Sequence, residues 1–135
     1  MRLSVAERLV YSMHTYGPSQ HDRPEFHNAA FPANMRDVWH AHWGKLVDAR
    51  TAATPALVLG EWGGPTDGPN GQWATELVDY LTELDLTSNF FWALNMDGSP
   101  KGIITDWTQT PPTLDEGKLA LLRRLTPAPT PIVPP

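Results

Sequence analysis

The chain has 135 residues, enough for one ordinary domain, and carries a formal net charge of −5. No basic stripe marks a nucleic-acid surface, no apolar run is long enough to span a membrane, and Met1 to Val10 lacks the long apolar centre of a secretory signal. With no cysteine, neither a disulfide framework nor a thiolate metal site is available, while six tryptophans supply flat apolar faces for a core or for sugar rings.

Arg8 to His14 reads as a strand of mixed polarity. A loop rich in Pro, His and Asn follows from Thr15 to about Ala33, and loops this long are often functional. Asn34 is placed to cap a helix. Met35, Val38, Trp39, Trp43, Leu46 and Val47 then fall at i, i+3, i+4, i+8, i+11 and i+12, one apolar helical face. His40 and Lys45 lie off this stripe and His42 borders it.

Pro55 opens the next element, a short apolar run from Ala56 to Leu59 that ends in Gly60-Glu61-Trp62-Gly63-Gly64. The run reads as a buried parallel strand with Glu61 at its carboxyl end. The glycines allow close approach of backbone or ligand. A Gly/Pro-rich loop is expected from Gly63 to Gly71. Trp73, Leu77, Tyr80, Leu81 and Leu84 mark a second amphipathic helix. Asn89 to Leu94 reads as a third strand, Asn95 to about Pro112 as a loop, and Glu116 to Arg124 as a last short helix. Five of the fourteen prolines fall within Pro127–Pro135, an extended tail or linker. The expected division is residues 1–125 as a folded unit and 126–135 as the tail.

The order strand, helix, strand, helix, strand, helix predicts an α/β fold with a parallel sheet covered by helices. Three strands are too few to close a barrel. They leave unpaired edges, which suggests part of a larger (β/α) protein, or pairing of those edges with another chain.

In a parallel sheet all the carboxyl ends point one way. His14 and Tyr16, Glu61, and Trp92 can therefore converge on one ligand. A carboxylate to attack an oxocarbenium-like centre, a tyrosine to orient it and an indole beneath a sugar ring suit glycoside chemistry. Metal binding is not expected. His40 and His42, at i and i+2 on a helix, point apart, and His21, Asp22, Glu25 and His27 read as a loop lining.

Leu9-Val10-Tyr11-Ser12-Met13-His14-Thr15-Tyr16-Gly17-Pro18 resembles the Tyr-Ser-Pro-His-x-Tyr segment of glycoside hydrolase family 5, the cellulase family. Leu59-Gly60-Glu61-Trp62-Gly63-Gly64 resembles its Gly-Glu-Phe-Gly nucleophile segment, and Phe91-Trp92-Ala93-Leu94-Asn95-Met96-Asp97 its Phe-Trp-Ser-Trp-Asn-Pro-Asp segment. Phe31-Pro32-Ala33-Asn34-Met35 and Trp39 to Gly44 are similar to its helix after the sixth strand. The motifs occur in the family's order and cover nearly all of the chain but the tail.

The resemblance implies a partial TIM (β/α)8 barrel, approximately strands six to eight with their helices. It implies an extracellular, retaining endo-glycosidase acting on a β-glucan, with β-1,4-glucan expected and mannan or xyloglucan as alternatives, and no cofactor. By resemblance Glu61 matches the nucleophile, with His14 and Tyr16 beside it. Trp92 matches the floor of the −1 sugar site, and Trp62, Asp97 and Lys101 are substrate-binding candidates. Met13 and Met96 stand where prolines are usual, Leu94 where one subgroup has a second tryptophan, and Trp62 where Phe is usual. The family's acid/base glutamate follows an asparagine, and no Asn-Glu pair occurs in these 135 residues. Glu25, Glu76, Glu83 and Glu116 read as loop or helix-surface charges. Hydrolysis therefore needs the rest of a barrel, and the isolated chain is expected to turn over little or no glucan. The alternative is a non-catalytic carbohydrate-binding or vestigial fragment.

Overall fold

The computed structural model describes residues 8–48, 50–51, 54–96, 101–126 and 128. Asp97 and nearly all of the proline-rich tail lie outside the described residues.

Three parallel strands form the sheet in the order β1 (Val10–His14), β2 (Ala56–Trp62), β3 (Asn89–Phe91). Val10 pairs with Ala56, and the register shifts after Met13 so that His14 faces Glu61. Burial alternates along β2 from Ala56 to Gly60, as a sheet covered on one face requires, and the register irregularity before Glu61 then breaks the alternation. Leu57 and Leu59, with Met13 of β1, pack into the core, whereas Val10 and Phe90 are exposed.

The helices cover that buried face. α1 (Met35–Trp39) runs through a π-helical turn (His40–Gly44) into α2 (Lys45–Asp48). Trp39 and Trp43 of this segment meet α3 (Gly68–Glu83) edge-on, Trp39 against Trp73 at 6.1 Å between ring centroids and Trp43 against Tyr80 at 5.6 Å. Arg36 ties the two helices at the surface through Glu76 and Glu83. α4 (Glu116–Leu125) packs beside α3 and buries Leu125. Its start is set by Asp115, whose side chain accepts from the Lys118 amide at 3.0 Å. Among the described residues no helix is long and apolar enough to cross a membrane.

The expected strand–helix order is present, with five local differences. Asn34 has helical torsions and makes no side-chain cap; its side-chain amide instead donates to the Glu25 carbonyl at 2.9 Å and holds the preceding loop. The π turn adds a residue to the helical phase, so Leu46 leaves the apolar stripe and is exposed. α3 begins at Gly68, within the expected Gly63–Gly71 loop, because Pro69 suits the first helical turn, where its missing N–H costs no helix hydrogen bond. The third strand ends at Phe91, short of the expected Leu94, and the Trp92–Ala93 peptide is cis. Finally, the expected Asn95–Pro112 loop contains an antiparallel hairpin, β4 (Ile104–Asp106) and β5 (Thr113–Leu114). The β-branched run Ile103-Ile104-Thr105 was the available signal for it.

Candidate functional site at the strand ends

The shift in register between β1 and β2 brings His14 and Glu61 side by side at the carboxyl end of the sheet. The chain continues alongside, with the Thr15 amide donating to the Glu61 carbonyl at 3.1 Å, which brings Tyr16 over the carboxylate. The Tyr16 hydroxyl donates to Glu61 Oε1 at 2.6 Å, a charge-assisted bond of short length. His14 Nδ1 lies 3.9 Å from Glu61 Oε2. Gly60 allows the close approach of β1, since a Cβ there would lie 1.8 Å from Ser12 Oγ and 3.2 Å from His14 Nε2.

The Tyr16 hydroxyl is held well above the ordinary tyrosine range. Burial is the largest cause, followed by its hydrogen bond to Glu61 and the nearby carboxylate charge. It therefore stays protonated and works as a fixed donor to one carboxylate oxygen. Glu61 keeps its side chain 31 % exposed, so the carboxylate is reachable from outside while Tyr16 holds one of its oxygens.

Trp92 sits one position beyond β3, half exposed, and its amide donates to the Trp62 carbonyl at 2.7 Å. The indole is thus presented at the end of the strand adjacent to Glu61's.

Trp62 differs from expectation. It is fully buried, edge-on to Phe91 at 5.0 Å, and its indole N–H donates to Asn89 Oδ1 at 2.9 Å. With both faces enclosed it is a core residue with no surface for a sugar, because the extra residue at Gly60 resets the alternation of β2 and turns Trp62 to the same side as Leu57 and Leu59, against Phe91 and Asn89. Lys101 is exposed, and its carbonyl accepts from Lys118 Nζ. Among the carboxylates read as surface charges, Glu76 and Glu83 pair with Arg36, and Glu116 pairs with Arg123.

Two residues went unmarked in the sequence, Asn89 and Lys118. Asn89, the first residue of β3, satisfies the buried Trp62 indole. Its signal was a polar residue opening a strand beside a tryptophan-bearing one. Lys118 is a buried lysine three residues after a helix cap, a spacing that offers it a counter-charge.

Carboxylate, tyrosine and indole at the carboxyl ends of parallel strands define an α/β protein whose site is built on strand ends, as in (β/α)8 barrels. Comparison with known proteins supplies the family. Residues 4–98 match the cellulase (glycosyl hydrolase family 5) model, and the chain belongs to that family.

It is 35% identical over 125 residues to the major extracellular endoglucanase of Xanthomonas campestris pv. campestris, covering 89% of this chain and 24% of that protein. It is 37% identical over 111 residues to an endoglucanase of Paenibacillus polymyxa, covering 78% of this chain and 27% of that protein. The solved catalytic domain of the Xanthomonas enzyme superposes with a TM-score of 0.77 at 34% identity, over 89% of this chain and 34% of that one. An endocellulase from Pyrococcus horikoshii in complex with cellotetraose superposes with a TM-score of 0.76 at 35% identity, over 87% of this chain and 31% of that one. The family is thus a TIM-barrel family. The chain spans about a quarter of the curated relatives and about a third of the solved catalytic chains.

Proposed function

We propose that this chain supplies the nucleophile side of a retaining endo-β-glucanase site, as strands six to eight of a (β/α)8 barrel with residues 1–125 as the barrel portion. The observation that carries the reading is the 2.6 Å hydrogen bond from Tyr16 to Glu61 Oε1 at the carboxyl ends of parallel strands. Tyr16 fixes one oxygen and leaves Oε2 to attack the anomeric carbon. A glycosyl ester forms as the bond to the leaving glucan breaks, and the leaving oxygen takes a proton from an acid outside this chain. Water activated by the same group then hydrolyses the ester and returns the Glu61 carboxylate. His14 lines the nucleophile, Trp92 supports the −1 sugar, and Asp97 and Lys101 border the substrate.

The substrate class is a β-1,4-glucan, the site of action extracellular, and no cofactor is required. The relatives named as endoglucanases, one of them extracellular, and the cellotetraose complex of a structural neighbour support this reading.

The test is a chimera. Residues 8–126 replace the matching segment of the Xanthomonas catalytic domain, and carboxymethylcellulose hydrolysis is followed with the anomer of the first product read by NMR. Retention is expected, with kcat reduced about 10³-fold or more by Glu61→Gln. A folded chimera that inverts, or whose rate is unchanged by the Glu61→Gln substitution, refutes the proposal. The isolated chain should show little or no turnover, since the acid step alone is worth about 10²–10⁴-fold.

A further inference from the structure

Lys118 is a charged side chain inside the fold, 3% exposed, that has no part in the site described above. A buried ammonium is costly unless its donors are used. Its Nζ donates to the Lys101 carbonyl at 2.6 Å and the Gly102 carbonyl at 2.9 Å, and it lies 3.3 Å from Asp115 Oδ2. The same Asp115 caps α4, and its amide donates to the Ile103 carbonyl at 2.8 Å. Three successive carbonyls, of residues 101, 102 and 103, are therefore gripped from the start of α4.

That gripped segment lies directly against the residues that follow Trp92. The Ile103 amide donates to the Ala93 carbonyl and the Ile104 amide to the Leu94 carbonyl, both at 2.8 Å. Gly102 makes the approach sterically feasible, because a Cβ there would sit 1.7 Å from the Asn95 carbonyl oxygen and 2.7 Å from that of Ala93. Trp92 is anchored on its other side by Trp62 of β2. The exposed indole thus stands on a segment held by the sheet before it and by the Lys118 clasp after it.

We propose that Lys118 is a positioning residue for Trp92: its ammonium clamps the 101–103 segment and so fixes the backbone that presents the indole to a sugar. The proposal rests on the reading of Trp92 as the −1 sugar platform. An indole platform is useful only if its plane is fixed before the ligand arrives, since ordering it on binding lowers affinity.

The test uses the full chain labelled with 5-fluorotryptophan. Its six tryptophans give six fluorine lines, and Trp92→Phe assigns one of them. In Lys118→Met the Trp92 line is expected to shift or broaden beyond its wild-type width, while the lines of core Trp39, Trp43 and Trp73 stay in place. Affinity for cellotetraose should fall about tenfold, or about 1.4 kcal/mol. An unmoved Trp92 line overturns the proposal, as does a moved line with unchanged affinity. If Lys118→Met collapses all six lines, Lys118→Gln, which keeps a polar group inside but whose shorter side chain leaves its amide short of the Lys101 and Gly102 carbonyls, decides, with a shifted Trp92 line expected and the core lines in place. Collapse there too, or an unmoved Trp92 line, makes the role a global structural one and refutes positioning. A wild-type chain that fails to bind cellotetraose counts against Trp92 as a sugar platform. The clasp is then judged by the fluorine line alone.

Discussion

Replacing Tyr16 by Phe removes one hydroxyl and leaves the ring, so the effect isolates the bond to Glu61. A net hydrogen bond to a charged acceptor stabilises a fold by about 1.5–3 kcal/mol. Glu61 is 31 % exposed, so water can replace the lost donor, and the expected cost near neutrality falls to about 1 kcal/mol. In a domain of this size that is a drop in Tm of roughly 4 °C.

The alkaline side gives a sharper test. The hydroxyl titrates at 10.0 in the unfolded chain and well above that in the fold, through burial first, then the Glu61 hydrogen bond and charge. Between those values the unfolded state has released a proton that the native state retains. The contribution of Tyr16 is therefore complete below the unfolded value and is lost as pH rises towards the folded one, at about 1.4 kcal/mol per pH unit. Phe has no such loss. The advantage of the natural chain should vanish at about pH 11 and change sign beyond it. Urea unfolding followed by tryptophan fluorescence, on both proteins at about pH 8 and about pH 11.5, reads the difference directly. A difference that does not change with pH would refute the geometry, because it would mean that Tyr16 titrates alike in both states.

Two further substitutions test the packing that carries the site. Trp62→Leu should cost about 3 kcal/mol by circular dichroism melting, since the indole is fully buried against Phe91 and hydrogen-bonded to Asn89. Unchanged stability with weakened sugar binding would return Trp62 to the substrate surface. Gly44→Ala places a Cβ 2.0 Å from the Tyr80 hydroxyl oxygen, so a destabilisation of about 1–3 kcal/mol is expected despite the better helix propensity of Ala. Tyr80→Phe removes the clashing oxygen and should recover most of it. Equal denaturant midpoints for Gly44→Ala and the double variant would sink that account.

Which parts of the molecule were readable follows from how local their causes are. The run Ala56–Leu59 behind Pro55 and the stripe Trp73–Leu77–Tyr80–Leu81 each bury one face, so periodicity alone located β2 and α3. Convergence of His14, Tyr16 and Glu61 needed one more step, the shared direction of parallel strands. Other features depend on distant partners. Trp62 looks like its neighbours in the motif, and only the packing of Phe91 and Asn89 decides that it points inward. Leu46 fits the helical stripe until a π turn, made possible by Gly44 under Tyr80, moves it off. The β4–β5 hairpin is only five residues of strand, too short for alternation to register.

The legible part is also the chemical part, and the cause is physical. In the proposed mechanism the carboxylate attacks with one oxygen and is held by the other, which calls for a place where two strands end together. In a parallel sheet that place is dictated by the strands themselves. Glu61, His14 and Tyr16 therefore appear in the sequence at or just beyond strand ends, Glu61 behind the apolar run Ala56–Leu59. Trp92 differs, because its strand ends early and its position is set by hydrogen bonds from Ile103 and Ile104 to the residues after it. Those bonds depend in turn on Gly102 and Lys118, which lie in a loop and a helix with no motif to mark them. A strand can place a nucleophile by its own register. Trp92, proposed as the sugar platform, lies beyond its strand's end and has to be held by the rest of the fold, and the buried Lys118 is the proposed means.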